Sequence, residues 1–168
     1  MEIRKSTNND IDSIMSIIQQ AQEYFKSSGI DQWQNNYPNT SVIENDIQLN
    51  ESYVILMNYV IVGTFVLSFR NESTYDTIYD GEWLSNDKYA VIHRIAFDQS
   101  IKGQGFSKNL LELIYSICIS HHVYSIKIDT HEDNKVMCNM LISNGFKHCG
   151  TIFLRDGNKR LAFEKLLK

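Results

Sequence analysis

Lys102-Gly103-Gln104-Gly105-Phe106-Ser107-Lys108, at the centre of the stretch Tyr89 to Ser120, is the sequence whose reading decides the fold. That stretch opens as a short apolar run of strand type, passes through the glycine loop and continues as an amphipathic helix. A glycine loop at a helix start collects unpaired backbone N–H groups at the positive end of the helix dipole, where a phosphate-like anion binds. Strand, anion site and helix are therefore predicted in immediate succession.

Outward from this centre, the preceding residues 53–57 and 60–69 are rich in β-branched and aromatic side chains and predict an antiparallel hairpin with a tight turn near Asn58-Tyr59. Gly63, early in its second strand, marks a bulge or a close backbone approach. Further upstream, residues 1–5 alternate like a short strand, and the capping cluster 6–10 predicts a helix start. Ile11, Ile14, Met15, Ile18 and Ala21 form its apolar stripe, and residues 42–49 predict a second short helix. Downstream, residues 123–130 predict a buried strand and 134–144 a helix stopped by Gly145. Residues 146–154 and 160–167 predict two strands joined across Asp156-Gly157.

Two polar connections carry aromatics. Trp33, in the loop between the first two helices, is either an anchor for that loop or a wall of a substrate pocket. Residues 71–88 exceed the length a hairpin needs and contain Tyr75, Asp76, Tyr79, Asp80, Glu82 and Trp83, which argues against disorder. The carboxylates of that loop would attract a cationic substrate or simply face water.

A chain of 168 residues with 43% hydrophobic content suits one domain over residues 1–168. Sixteen basic against twenty acidic residues leave a net charge of -4, which predicts no nucleic-acid partner and no anionic membrane surface. Cys118, Cys138 and Cys149 form neither a C-x-x-C pair nor an even framework, so a cytoplasmic setting without a metal site is expected. No apolar run approaches the roughly 20 residues of a membrane span, and no signal segment opens the chain.

Three phosphate signatures compete for the glycine loop. The Walker loop fails, because no glycine is followed by Lys and then Ser or Thr. A dinucleotide loop gains Gly103, Gly105 and a ribose-binding candidate in Asp129, but Lys108 stands where its third glycine belongs and the preceding strands are antiparallel. The third is the coenzyme A pyrophosphate loop, [QR]-x-x-G-x-[GA], with Lys102 in place of Gln or Arg and Ser107 in place of the final small residue. Neither departure removes a backbone donor.

With Ile95-Ala96-Phe97-Asp98 before this loop, Asp129 to Asn134 after the next strand and Asn144-Gly145-Phe146 beyond, the chain resembles the GCN5-related N-acetyltransferase (GNAT) family over essentially its whole length. The resemblance implies an α/β (α+β) fold. Its mixed, mostly antiparallel sheet would splay open at the acyl-CoA site, with helices on both faces. It implies acetyl-CoA as cosubstrate and no metal, with the pantetheine arm on Ile95, Ala96, Phe97 and Asn134. The diphosphate would lie on Lys102, Gly103, Gln104, Gly105, Phe106, Ser107 and Lys108. It further implies transfer of the acetyl group to a primary amine of a small molecule or protein by direct attack. A non-catalytic acyl-CoA-binding module or sensor is the alternative, because Leu141 occupies the position of the family's usual acidic tyrosine.

For the base, His93 is the candidate, since strand alternation puts it on the face of Ile95 and Phe97 and its unperturbed pKa near 6.5 suits proton abstraction. Its place is similar to that of a catalytic histidine in aralkylamine-type members. Arg94 faces the other way unless a bulge intervenes, where an ion pair is expected. Tyr37 and Tyr124 are substitutes for the acid. Trp33, Trp83 and His131 are acceptor-binding candidates, with Glu132 read as a turn residue and His121-His122 as the end of a helix. Oligomeric state stays open, a homodimer included.

Overall fold

The structure is a computed structural model and describes residues 1–167. The chain divides into two compact units, residues 1–68 with 92–110, and residues 69–91 with 111–168. The strands and helices of each are those of a mixed α/β fold with mostly antiparallel pairing, the class expected.

In the first unit the strands β1 (Glu2–Lys5), β2 (Ser52–Met57), β3 (Val60–Ser68) and the greater part of β4 (Ala90–Phe97) are neighbours in that order. β1 and β3 both pair antiparallel with β2. Asn58 and Tyr59 turn the hairpin with φ of 50° and 65°, the left-handed pair that a two-residue turn between twisted strands requires. Register slips from Ile55↔Gly63 to Leu56↔Ile61, so Val62 is the extra residue of a bulge. Its carbonyl accepts the Asp98 N–H at 2.8 Å, just past the end of β4. Gly63 has no side chain because the end of β4 is there: a Cβ would lie 3.0 Å from the Ala96 carbonyl oxygen and 2.7 Å from Ile55 Cδ1.

Helix α1 (Ile11–Ser27) follows a 3-10 turn at Asn8–Asp10, whose Asp10 carboxylate takes two bonds from Arg4 at 2.7 and 2.8 Å and one from the Thr7 N–H at 2.8 Å. Its buried stripe is Ile14, Ile17, Ile18, Ala21 and Phe25; Ile11 and Met15, expected in it, are only partly covered. Helix α2 (Thr40–Gln48) is capped by Asn39, whose side chain accepts the Val42 N–H. One cluster joins α1 to α2 and β2 through Ile14, Ile18, Ile43 and Val54.

In the second unit the start of β4, β5 (Ser125–Thr130), β7 (Lys159–Leu166) and β6 (Lys147–Phe153) are neighbours in that order. β4 pairs parallel with β5 through Ala90↔Ile126 and Val91↔Lys127. Helix α3 (Phe106–Ser120) gives its first residues to the first unit and the rest to the second. Helix α4 (Lys135–Ser143) ends where predicted, with Gly145 at φ 83° and the Phe146 N–H reaching back to the Leu141 carbonyl at 3.0 Å. The long connection, residues 71–88, is ordered on this unit: Tyr79 exchanges two 2.8 Å backbone bonds with Thr151, and Tyr75 is buried with Val91, Ile152 and Ala162.

Two consequences for stability follow. Gly63→Ala forces a methyl against β4 and should destabilise the fold by about 1–3 kcal/mol, read as a lower urea midpoint at unchanged slope. The Arg4 side-chain bonds hold the Asp10 carboxyl down at about 2, against burial. A depressed carboxyl stabilises the folded chain above its ordinary range and loses that contribution as pH falls from about 4 towards 2. Because Arg4 is half exposed, Asp10→Asn should cost about 1 kcal/mol at pH 7, and wild type and variant should converge in thermal midpoint near pH 2.

Candidate active site

β4 hands the chain to its glycine loop through a single carboxylate. Asp98 accepts from the Ser100 N–H at 2.9 Å and hydroxyl at 2.6 Å on one oxygen, and from Gln20 Nε2 at 2.8 Å on the other. Gln20, on α1, in turn accepts the Gln99 N–H at 2.9 Å. The Ser100 hydroxyl and the Gln20 amide hold the Asp98 carboxyl below its ordinary range. A 3-10 turn at Gln99–Ile101 is thereby tied to α1 across 78 residues of sequence.

Gly103 and Gly105 follow with φ of 76° and 77°, the left-handed conformation that L side chains avoid. No atom lies within 4 Å of where a Cβ would stand at either position, so backbone conformation and not crowding selects glycine there. Gln104 ties the loop back through Nε2 to the Ser100 carbonyl at 2.9 Å. α3 starts at Phe106, which puts the amides of Phe106, Ser107 and Lys108 in the unpaired first turn of a helix. Lys102 lays its ammonium 5.4 Å from the Tyr24 ring centre, and burial lowers its pKa against the pull of Asp98.

Within β4, Ile95 and Ala96 are buried and His93 and Phe97 half-buried. Arg94 is left-handed, φ 48°, inside the strand. It gives Nε and Nη2 to the two oxygens of Asp46 at 2.7 Å each, and Nη1 to the Tyr37 hydroxyl at 2.9 Å. The ion pair foreseen for Arg94 is present, and the strand backbone inverts at that residue. That inversion breaks the alternation from which His93 was placed on the face of Ile95 and Phe97, since period-2 counting does not pass through a left-handed residue.

Trp33 meets Phe25 edge to face at 5.7 Å and packs on the cluster of Ile17, Ala21, Ile30 and Ala96. The loop around it is pinned to α1, with Gln22 Nε2 donating to the Tyr37 and Pro38 carbonyls. Trp33 thus has an anchoring role, whatever else it contacts.

In the second unit, Trp83 donates Nε1–H to the Tyr75 carbonyl at 2.9 Å. The Lys127 ammonium lies between Trp83 and Tyr89, 4.2 and 4.1 Å from their ring centres, and burial lowers its pKa. Opposite Lys127 on β7 is Glu164, fully buried, which accepts from the Leu84 N–H at 2.5 Å and the Ser125 hydroxyl at 2.6 Å. Tyr75 donates its hydroxyl to Asp129 at 2.6 Å, and burial with that carboxylate raises its pKa well above the ordinary value. Asn134 is the buried N-cap of α4, accepting the Met137 N–H at 3.2 Å. His131 Nδ1 accepts the Asp133 N–H at 3.1 Å, and the Glu132 carbonyl accepts from Lys135 Nζ at 2.8 Å, as a turn before a helix requires. Leu141 is wholly buried.

The fold recurs in known proteins. Residues 14–146 match the family model described as Acetyltransferase (GNAT) family. The chain belongs to the GNAT acetyltransferase family. An acetyltransferase of this family from Streptococcus agalactiae superimposes with a TM-score of 0.90 at 32% identity, over 99% of this chain and 95% of that one. A GNAT-family acetyltransferase from Listeria monocytogenes gives 0.75 at 21% identity, covering 99% and 94% of the two chains. The ribosomal-protein-alanine N-acetyltransferase of Brucella melitensis gives 0.68 at 16%, covering 99% and 100%, a likeness of fold. No curated protein matches in sequence. As a GNAT acetyltransferase the chain is an enzyme of acetyl transfer, and the family draws its acyl group from acetyl-CoA.

Of the residues selected from sequence, His93, Ile95, Ala96, Phe97, residues 102–108 and Trp33 lie in the first unit; Trp83, His131 and Asn134 lie in the second. Among the described residues no group of three His, Cys, Asp or Glu side chains could hold a metal, and no helix is long and apolar enough to cross a membrane. Sequence reading missed Gln20 and Asp46, whose partners lie 78 and 48 residues away and leave no local signal. Asp98→Ala frees the turn before the glycine loop; acetyl-CoA affinity should fall about 3–10-fold, roughly 1 kcal/mol, in a calorimetric titration at unchanged helix content.

Proposed function

We propose that this GNAT acetyltransferase transfers the acetyl group of acetyl-CoA to a primary amine, of a small molecule or a protein, by direct attack of the amine on the thioester carbonyl. The observation that carries the reading is the anchored sequence of β4, two left-handed glycines and a helix start. It offers backbone N–H groups from Gly103 to Lys108 to a diphosphate without relying on any side chain, so Lys102 and Ser107 in place of the family's commoner residues are tolerated. The main chain of Ile95, Ala96 and Phe97 would pair with the pantetheine amides as an added strand does, and Asn134 stays a cofactor-binding candidate of the second unit. Free, buried cysteines and a net charge of -4 support a cytoplasmic enzyme without nucleic-acid or membrane partners, and the matched span 14–146, drawing on both units, supports one catalytic domain.

In the reaction the amine nitrogen forms a bond to the carbonyl carbon, the C–S bond breaks and the electron pair leaves on sulfur. The ammonium first gives one proton to a base; after attack the nitrogen gives up a second as the tetrahedral intermediate collapses to the amide, and the thiolate gains one from an acid or water. The Phe97 N–H is our candidate for polarising the carbonyl, and His93 for the base: it is half-buried, on β4, one residue before the inversion. Trp33, Trp83 and His131 remain acceptor candidates, and a homodimer is compatible with this reading.

A second reading has its own support. Leu141 is fully buried where the family commonly has its acidic tyrosine, which favours a module that binds acyl-CoA without turning it over.

Titration with acetyl-CoA followed by thiol release against an amine panel separates the two. Turnover with any amine establishes the transferase, binding with none supports the module, and absence of binding at high micromolar concentration removes both. In the turnover case His93→Ala should lower kcat about 10²-fold or more with KM for acetyl-CoA within about threefold, and the fall of kcat towards acid pH should be lost; an unchanged kcat eliminates His93.

A further inference from the structure

We propose that the Arg94–Asp46 ion pair holds β4 in its left-handed kink and so positions the main chain of Ile95, Ala96 and Phe97 for the acyl donor. This rests on the acetyl-CoA reading above. Arg94 and Asp46 act as positioning residues, not as catalytic ones.

A left-handed arginine in a strand interior is unfavourable, and such a conformation persists only where surrounding contacts over-determine it. Here they do. All three guanidinium nitrogens are engaged, two on Asp46 at 2.7 Å and one on the Tyr37 hydroxyl at 2.9 Å. Side-chain exposure is 15% for Arg94 and 4% for Asp46, so the pair is shielded from competing water. Asp46 is carried by α2 and Tyr37 by the loop before it, so both partners are fixed by elements distant in sequence.

The kink stands immediately before Ile95. In a strand, a change of one residue in phase turns every following side chain and amide to the other face. If residue 94 relaxed to an extended conformation, the groups of Ile95 to Phe97 would be re-phased. Their far end is already pinned by the Asp98 N–H on the Val62 carbonyl at 2.8 Å, with Gly63 allowing the close approach. The three residues are thus stretched between two fixed points, and Arg94 is the nearer one.

Glycine adopts the left-handed conformation freely and alanine does not, which separates kink from contact. Asp46→Ala should raise KM for acetyl-CoA about tenfold while kcat at saturation falls less. Combined with Arg94→Gly it should recover to within about threefold of wild type; combined with Arg94→Ala it should not. An anchor that merely adds stability would leave the glycine and alanine doubles alike, and that result overturns the proposal. A ligand-free readout stands beside the kinetics. Backbone NMR shifts of residue 94 should move to extended values in the alanine double and stay left-handed in the glycine double. Left-handed shifts in both overturn the clamp. If the wild type does not bind acetyl-CoA, the cofactor reading has failed while the NMR comparison still decides what holds the kink. Should Asp46→Ala not fold, Asp46→Asn carries the test, with about a threefold rise in KM expected and no rise counting against the clamp.

Discussion

The first unit depends on how β4 ends. A strand that continues its ladder has no main-chain groups to offer, and a chain that simply frays after its last bond cannot aim them. Asp98 resolves this by closing β4 onto the Val62 bulge with its N–H while its carboxylate gathers Ser100 and Gln20. Charge-assisted bonds suit this task better than apolar contact, because they fix direction as well as distance. The glycine loop then starts from a fixed point, and two left-handed residues turn the chain into α3. Since neither glycine is crowded, the loop keeps its amides accessible while its conformation is set by backbone preference.

The second unit solves a different problem, that of ordering an eighteen-residue polar connection, residues 71–88, without a helix or strand of its own beyond one 3-10 turn at Ser73–Tyr75. Its order comes from buried polar groups of the sheet. Glu164, fully buried, receives Leu84 and Ser125, and Lys127 on the neighbouring strand is covered by Trp83 and Tyr89. An unpaired buried charge is costly, so removing the loop would expose or strand both groups. The connection and the sheet are therefore stable together, and the aromatic content of the loop is explained by packing.

Much of this was legible in the sequence because it is local. The hairpin turn at Asn58-Tyr59, the Gly63 approach, the α4 stop at Gly145 and the glycine loop before α3 all follow from residue types at fixed short spacing. Arg94 shows where such reasoning stops. Nothing in Ile92-His93-Arg94-Ile95 announces a kink, because its cause is Asp46 on another element, and alternation therefore carried His93 to a face it could not guarantee. Gln20 is a similar case, one amide on the polar side of an otherwise ordinary amphipathic helix. Trp33 and Trp83 were ambiguous for the opposite reason: aromatic side chains in loops serve anchoring and recognition equally well, and here both have rings engaged by their own unit's core.

Binding and catalysis in the proposed reaction make unequal demands on side chains. Diphosphate and pantetheine recognition draw on backbone groups, whose geometry survives substitution wherever the conformation is kept. Proton transfer draws on individual side chains, and under the proposed reading Leu141 offers none at the acid position. The loss is smaller than it looks, because the two proton transfers are not equally hard. A thiol pKa of about 8.5 makes thiolate a competent leaving group near neutral pH, so water suffices as its acid. An ammonium nucleophile, in contrast, cannot attack until its proton is gone. In the proposed reaction, with Leu141 buried at the acid position, turnover rests on the base, for which His93 on β4 is the candidate.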